Sequence, residues 1–250
     1  MLRNYQINSL IGAVCFTLFT GTAAANSEIS LDAEYWHPQV SGKIKSSTNL
    51  NLKNDLGLDK TNIANLSLNL KGDKNFKYFI KYEKPSFNDS KTLSHSFSFN
   101  GGNYAAGDRI TSDLDAKHLQ FGIRNEKITS NGKFSTIYSY NHNSIHTGIK
   151  NITQNFNKSN NSTSDSLSLG LGWESLNTSG VNFFAEATPL SIGRRGSYLD
   201  YNVGIRTKFS KTTAFTLGYK GEKLKVGETS NSDGTTVKLK GIYAFLGSSL

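Results

Sequence analysis

Apolar and polar residues alternate one by one along most of this 250-residue sequence after residue 26. Leu66, Leu68 and Leu70, for example, are separated by single serine and asparagine residues. A period of two places every second side chain on the same face of a β-strand, so each such segment predicts a strand with one apolar and one polar face. No segment with the period of a helix competes. The sequence therefore predicts an all-β protein, and about ten such segments can be counted.

The first 25 residues have a different character. Arg3 precedes an apolar stretch from Leu10 to Phe19, and a run of small residues ends at Ala25. This three-part layout is typical of a secretory signal peptide with a cleavage site after Ala25. We therefore expect residues 1–25 to be removed and residues 26–250 to form one exported domain. Removal takes away the only cysteine and lowers the net charge from +9 to +8, because Arg3 is lost and no acidic residue is.

The remaining composition excludes a helical membrane protein. Hydrophobic residues make up 36% of the chain and mean hydropathy is -0.43. After the predicted signal they occur singly or in short runs of at most five, so no stretch approaches the roughly 20 consecutive apolar residues that a membrane helix needs. The aromatic share of 11% argues against a disordered basic protein.

The connections between the predicted strands alternate in length. Short, turn-rich connections at 72–75, 130–132, 177–180 and 210–212 alternate with longer polar ones at 47–60, 150–164 and 227–233. Outer-membrane barrels combine short periplasmic turns with longer external loops in this way. We therefore predict a single up-and-down antiparallel transmembrane β-barrel of about ten strands. Segment 85–113 could extend a neighbouring strand or form a hairpin of its own, so counts of eight or twelve strands are the alternatives.

A soluble β-sandwich is the competing fold, because two packed sheets would show the same alternation. Three features favour the barrel. The polar faces carry small residues and mixed charge, tyrosine and phenylalanine cluster near strand ends where a membrane belt would lie, and an export signal precedes a chain without cysteine.

Short motifs along the chain resemble an uncharacterised family of bacterial outer-membrane β-barrel proteins. They are Tyr35-Trp36, Leu50-Asn51-Leu52, Asp55 to Asp59, the block from Thr92 to Asp115, Gly218-Tyr219-Lys220 and Gly241-Ile242-Tyr243. The resemblance implies a porin-like barrel in the cell outer membrane, inserted by the barrel-insertion machinery, and implies no activity or site. Members of this family usually end on an aromatic residue, whereas this chain ends on Leu250.

If apolar faces point outward, the barrel lumen receives seven acidic and eight basic residues. These are Asp32, Glu34, Lys77, Lys81, Glu83, Arg124, Glu174, Glu186, Asp200, Arg206, Lys208, Lys220, Glu222, Lys238 and Lys240. A barrel of eight to ten strands is barely wide enough for its side chains, and charges withdrawn from water must be paired. We expect a paired network that fills the lumen, with a narrow selective pore as the alternative.

The surplus positive charge then falls mainly in the loops. Arg109, Arg194 and Arg195 are candidate contacts for the phosphates of outer-leaflet lipopolysaccharide, and ordinary solvated loops are the alternative. Nucleic acid does not fit an exported barrel. The sequence leaves the oligomeric state open.

Signals for enzymatic chemistry are weak. His142, Ser144 and His146 share one strand face, and a hydroxyl beside an imidazole is the minimum for attack on a lipid ester, but that face is the outward one. No motif predicts a catalytic residue, metal or cofactor. The sequence thus favours a non-enzymatic outer-membrane protein, structural or passing small solutes through a narrow pore, with a lipid ester hydrolase or a surface adhesin as alternatives.

Overall fold

The structure is a computed structural model that describes residues 29–45, 48–72, 75–176, 180–194, 196–210, 212–227 and 234–249. The predicted signal peptide lies outside the described residues. Fourteen strands are present: β1 (Ile29–Lys45), β2 (Leu50–Asn51), β3 (Ile63–Lys71), β4 (Phe76–Glu83), β5 (Ser86–Thr92), β6 (Phe97–Phe99), β7 (Gly102–Tyr104), β8 (Arg109–Thr129), β9 (Gly132–Asn151), β10 (Phe156–Glu174), β11 (Val181–Arg194), β12 (Gly196–Lys208), β13 (Thr213–Val226) and β14 (Gly234–Ser249).

The strands form a closed antiparallel barrel. Neighbouring strands of the wall pair in the order β1, β3, β4, β8, β9, β10, β11, β12, β13 and β14, and β14 returns to pair with β1 from Ser30↔Ser249 to Lys45↔Gly234. β5 continues β4 along β8, so the wall has ten strand positions. The prediction of an all-β, up-and-down barrel of about ten strands is therefore confirmed. The segment that left the count open adds β5 to the wall and the separate hairpin β6–β7. No helix among the described residues is long and apolar enough to cross a membrane.

The two ends of the barrel differ in their connections. Four short connections, after β3, β8, β10 and β12, lie at one end, together with the first residue of β1 and the last of β14. We call this the turn end. The opposite end, here the loop end, carries the longer segments between β1 and β3 and between β5 and β8.

The outer surface of the barrel changes character along its length. Apolar side chains are exposed on the half nearer the turn end, for example Tyr78, Tyr138, Phe183 and Val203. Nearer the loop end the outward positions become polar and charged, as at His142, His146 and the lysines of β13 and β14. The barrel thus has an apolar band beside the turn end and a polar collar beside the loop end.

The interior of the collar is a mainly apolar core, with a few buried polar side chains such as Asn143 and Thr147. It contains strand residues such as Val40, Ile44 and Leu114, together with loop residues that fold into the mouth of the barrel. The loop residues are Leu52, Leu56, Leu58 and Leu93, joined by Leu50 of β2 and by Phe97, Phe99 and Tyr104 of the β6–β7 hairpin. Cα atoms of β13 also lie within 8 Å of those of β9 and β10, across the barrel. Separate parts of the wall therefore approach one another across the barrel near the loop end.

One predicted strand has its faces reversed. Val237 and Leu239 of β14 are fully buried in this core, whereas Lys238 and Lys240 are exposed on the outside. The prediction that both lysines line the lumen is wrong. It assumed that the whole strand crosses lipid, whereas this part of β14 lies in the collar, where the apolar environment is inside the barrel and the polar one outside.

Candidate functional site

The interior of the barrel is divided into three layers. The apolar core fills the loop end, a cluster of buried charges lies beneath it, and a polar cavity of about 660 Å³ opens at the turn end. The order of the three layers can be followed along a single strand. Along β13, inward Leu224 and Val226 belong to the core, and Lys220 and Glu222 to the charge cluster. The strand then reaches Thr216 in the lining of the cavity.

Lys220 is the centre of the charge cluster. Its ammonium group lies 2.9 Å from Glu34 Oε1, 2.5 Å from Glu83 Oε1 and 3.0 Å from Glu222 Oε1. It also lies 4.3 Å from the centre of the Trp36 ring. The three carboxylates come from β1, β4 and β13, so a single lysine joins three positions of the barrel wall. Only 3% of its side chain is exposed, and these contacts replace the water that the charge has lost.

A second layer of contacts completes the cluster. Lys81 lies 2.9 Å from Glu83 Oε1 and 3.6 Å from Glu222 Oε1. The hydroxyl of Tyr198 donates to Glu222 Oε1 at 3.2 Å, and its ring stacks on His118 with centres 4.0 Å apart. Every carboxylate of the cluster therefore has at least one cationic partner.

His118 joins the cluster through both of its ring nitrogens. Its Nδ1 lies 3.2 Å from Glu83 Oε2 and its Nε2 lies 3.1 Å from Asn141 Oδ1. Asn141 in turn donates through Nδ2 to Ser168 Oγ at 2.8 Å. These contacts link the charge cluster to polar side chains of β9 and β10.

In the described part of the chain, Glu83, His118 and Glu222 form the one group whose donor atoms are close enough together to hold a metal ion. Ligand atoms of Glu83, His118 and Glu222 all lie within 4.8 Å of one another. The Lys220 ammonium, however, lies between the two carboxylates and contacts both. A cation already occupies the position that a metal ion would need, so the arrangement is that of an ion-pair cluster.

The cavity at the turn end has its own ion pairs. Arg124 Nη1 lies 2.6 Å from Glu186 Oε2, and Lys77 Nζ lies 2.8 Å from Glu126 Oε2. Glu174 accepts from both Lys133 and Arg206, at 2.7 and 2.9 Å. Asp32 accepts from Asn69, and Asp200 and Lys208 also line the cavity. The charges of this layer are therefore also largely neutralised by one another.

Of the fifteen residues predicted to line the lumen, the structure places all except Lys238 and Lys240 on the inner side of the wall. Sequence reasoning missed Glu126 and Lys133, which join the ion pairs of the cavity. Both occupy inward positions close to the β8–β9 turn, and the same alternation extended by a few residues would have found them.

The outward histidines form no catalytic arrangement with Ser144. His142 Nδ1 lies 2.8 Å from Asp165 Oδ1, and the Tyr140 hydroxyl donates to the same oxygen at 2.6 Å. His146 contacts Asn161 and Asp113. Each imidazole is thus directed toward a neighbouring strand and away from the serine on its own strand.

Arg109, one of the three predicted glycolipid contacts, lies at the far end of the collar. It is the first residue of β8, twelve residues before the exposed Phe121 of the apolar band. At about 3.3 Å per residue and a strand tilt near 40°, that is roughly 30 Å along the barrel axis, beyond the depth of a headgroup layer. Arg194 ends β11, and its side chain lies outside the described residues, as does Arg195.

Comparison with known proteins gives a likeness of fold alone. No family model and no curated protein matches the sequence. Among solved structures, the outer-membrane protease OmpT from Escherichia coli matches 92% of this chain and 99% of its own, with a TM-score of 0.50 and 8% identity. The Neisserial surface protein NspA matches 88% of this chain and 96% of its own, with a TM-score of 0.39 and 10% identity.

This chain has the fold of the bacterial outer-membrane β-barrels. The resemblance found in its sequence motifs is thus confirmed at the level of fold. Barrels of this fold place short turns in the periplasm and longer loops outside the cell. Applied to this barrel, that rule would assign the turn end to the periplasm, the loop end to the exterior and the apolar band to the hydrocarbon layer.

Proposed function

We propose that this protein is an integral outer-membrane barrel with a structural role, which holds a rigid collar above the membrane and does not conduct solutes. We also propose that residues 1–25 direct its export and are cleaved after Ala25. The observation that supports the proposal is that two barriers follow one another along the bore. A solute entering from the periplasm meets paired charges around Lys220 and then a fully buried apolar core.

The physical argument is one of energy. A hydrated ion crossing the cluster would have to displace Lys220 or Lys81 from the carboxylates that neutralise them. The core above is mainly apolar and closely packed, so its few buried polar side chains, such as Asn143 and Thr147, cannot replace a full hydration shell. Small outer-membrane barrels of this width are commonly filled by their own side chains.

The ordered collar supports the structural role. The loop between β1 and β3 packs four leucines into the mouth of the barrel and is held by a Lys53–Asp59 contact of 2.6 Å. That hydrogen bond lowers the pKa of the Asp59 carboxyl below its ordinary value. Tyr104 of the hairpin donates to the Ile149 carbonyl, and burial raises the pKa of its phenol to about 12. Surface loops tied down in this way form a fixed outer face.

Planar-bilayer recording tests the proposal. Purified full-length protein, shown to be folded by the heat-dependent shift of its gel mobility, is expected to give no conductance steps over a range of voltages. A general porin inserted into the same bilayer is the positive control. Reproducible steps from the wild-type protein would contradict the proposal and favour the narrow pore.

A further inference from the structure

The collar carries its charge asymmetrically, and one side of it is strongly basic. On the outer surface of β13, β14 and β1, Lys223, Lys238, Lys240 and Lys43 lie above the apolar band. None of the described outward positions of these strands in the collar is acidic. We call these four lysines the basic face.

Strand register shows how the basic face is built. Lys223 of β13 lies directly opposite Lys238 of β14, and Lys240 lies one step nearer the band, opposite Gly221. Side chains directly opposite one another have Cβ atoms only about 5 Å apart, and like charges in that position destabilise a sheet. Two adjacent lysines without an acidic neighbour on the same surface are therefore expected to attract an anion.

The opposite wall of the collar shows that this is not a general property of the barrel. There β8, β9 and β10 present Asp113, Asp165, His142 and His146, and the carboxylates contact the imidazoles. The opposite wall thus presents acidic side chains, whereas the described outward positions of the basic face hold none.

The height of the basic face identifies the anion. Ile242 and Tyr219 belong to the uppermost apolar row on these strands, and Lys240 lies two residues above Ile242. With about 3.4 Å per residue and a strand tilt near 40°, Lys240 stands about 5 Å above that row, Lys223 and Lys238 about 10 Å, and Lys43, opposite Thr236, about 16 Å. The headgroup layer of a bilayer extends about 5–8 Å beyond the hydrocarbon on each side. Lys240 therefore lies within this layer, and the long side chains of Lys223 and Lys238 can reach it from just above.

From this register we infer that the basic face binds the phosphate groups of a glycolipid in the outer leaflet. The apolar rows beneath it, with Tyr219, Ile242 and Val203, would contact the acyl chains of the same molecule. Phosphate oxygens accept charge-assisted hydrogen bonds from several ammonium groups at once, which removes the repulsion between Lys223 and Lys238. The inference places the contact on the barrel wall, and Arg109 has no part in it.

The test measures binding of bisphosphorylated lipid A to the full-length protein in detergent. Wild-type protein is compared with the triple variant Lys223→Gln, Lys238→Gln, Lys240→Gln. The control is Lys117→Gln, Lys127→Gln, Lys150→Gln, which removes the same charge from exposed lysines of β8 and β9. Lysines near an anionic surface contribute enough that we expect at least about tenfold weaker binding by the first variant and a change below about twofold for the control.

Two further measurements on the wild-type protein keep the inference testable if the triple variant does not fold. Dephosphorylated lipid A is expected to bind about tenfold or more weakly than the bisphosphorylated form, and inorganic pyrophosphate is expected not to compete at equal concentration. Equal binding of both lipids, or equal losses in both triple variants, would overturn the inference. Competition by pyrophosphate would show a general anion patch and would also overturn it. None of these outcomes depends on whether the bore conducts.

Discussion

Replacement of Lys220 by methionine is expected to lower the free energy of unfolding by about 3–5 kcal/mol. The change leaves Glu34, Glu83 and Glu222 facing one another in the bore, with Lys81 as the remaining lysine in contact with Glu83 and Glu222. Methionine has a similar length, so the loss reports the missing charge more than a missing volume. Urea-dependent unfolding of the protein in lipid vesicles, followed by gel mobility, provides the measurement.

Two companion variants separate charge from packing. Lys150→Met removes an exposed lysine of β9 and is expected to change stability by less than about 0.5 kcal/mol. Adding Glu83→Gln and Glu222→Gln to Lys220→Met removes two of the unpaired carboxylates and is expected to restore part of the loss. A loss below about 1 kcal/mol for Lys220→Met alone would show that the cluster does not hold the barrel together.

Replacement of Trp36 by alanine is expected to cost about 3–5 kcal/mol in the same assay. The side chain is fully buried between the apolar core and the charge cluster, and its ring lies beneath the Lys220 ammonium. Its removal leaves a cavity at that boundary and takes away the cation–π contact. Because Trp36 and Lys220 touch, the losses of the two single variants are not expected to add in the double variant.

Trp173 provides the matched control for Trp36. It is the other tryptophan of the chain, lies at the edge of the apolar band near the turn end, and is 38% exposed. We expect Trp173→Ala to cost less than half as much as Trp36→Ala. Of the two tryptophans, only Trp36 is expected to keep its fluorescence when a water-soluble quencher is added. Equal losses for the two variants would contradict the assignment of Trp36 to a close-packed interior.

The fold could be predicted from the sequence because a membrane barrel repeats one simple rule. Alternation on strands such as β3, β4 and β8 identified the wall, and the inner positions of Asp32, Glu83 and Lys220 followed from the same period. The rule holds wherever lipid lies outside and polar side chains lie inside.

The collar could not be predicted in this way because the environment inverts there. Beyond the apolar band, water lies outside and a dry core lies inside, so Lys238 faces outward and Leu239 inward. Period alone cannot distinguish the two orientations. Nor does local sequence show that Leu56 and Leu58 of a loop fold back into the mouth, since this depends on contacts with distant strands. In the proposed account, these two features close the bore.

Accessibility of the bore from its two ends tests the account most directly. The chain has a single cysteine, Cys15, in the predicted signal, so new cysteines can be placed in an otherwise cysteine-free mature chain. Ser67 lines the cavity at the turn end, and Ser90 is exposed on β5 near the loop end. The double variant Ser67→Cys, Ser90→Cys is reconstituted into sealed vesicles and treated from outside with a small charged thiol reagent that does not cross lipid.

A closed bore predicts at most one label on each chain, as counted by mass spectrometry of the intact protein. The label is expected either on the introduced thiol near the loop end or on the one in the cavity, according to the orientation of the chain in the vesicle. Detergent treatment is expected to yield two labels on every chain, which controls for reactivity. Two labels on chains in sealed vesicles would mean that the reagent passes through the barrel, and the central claim of a closed bore would be wrong.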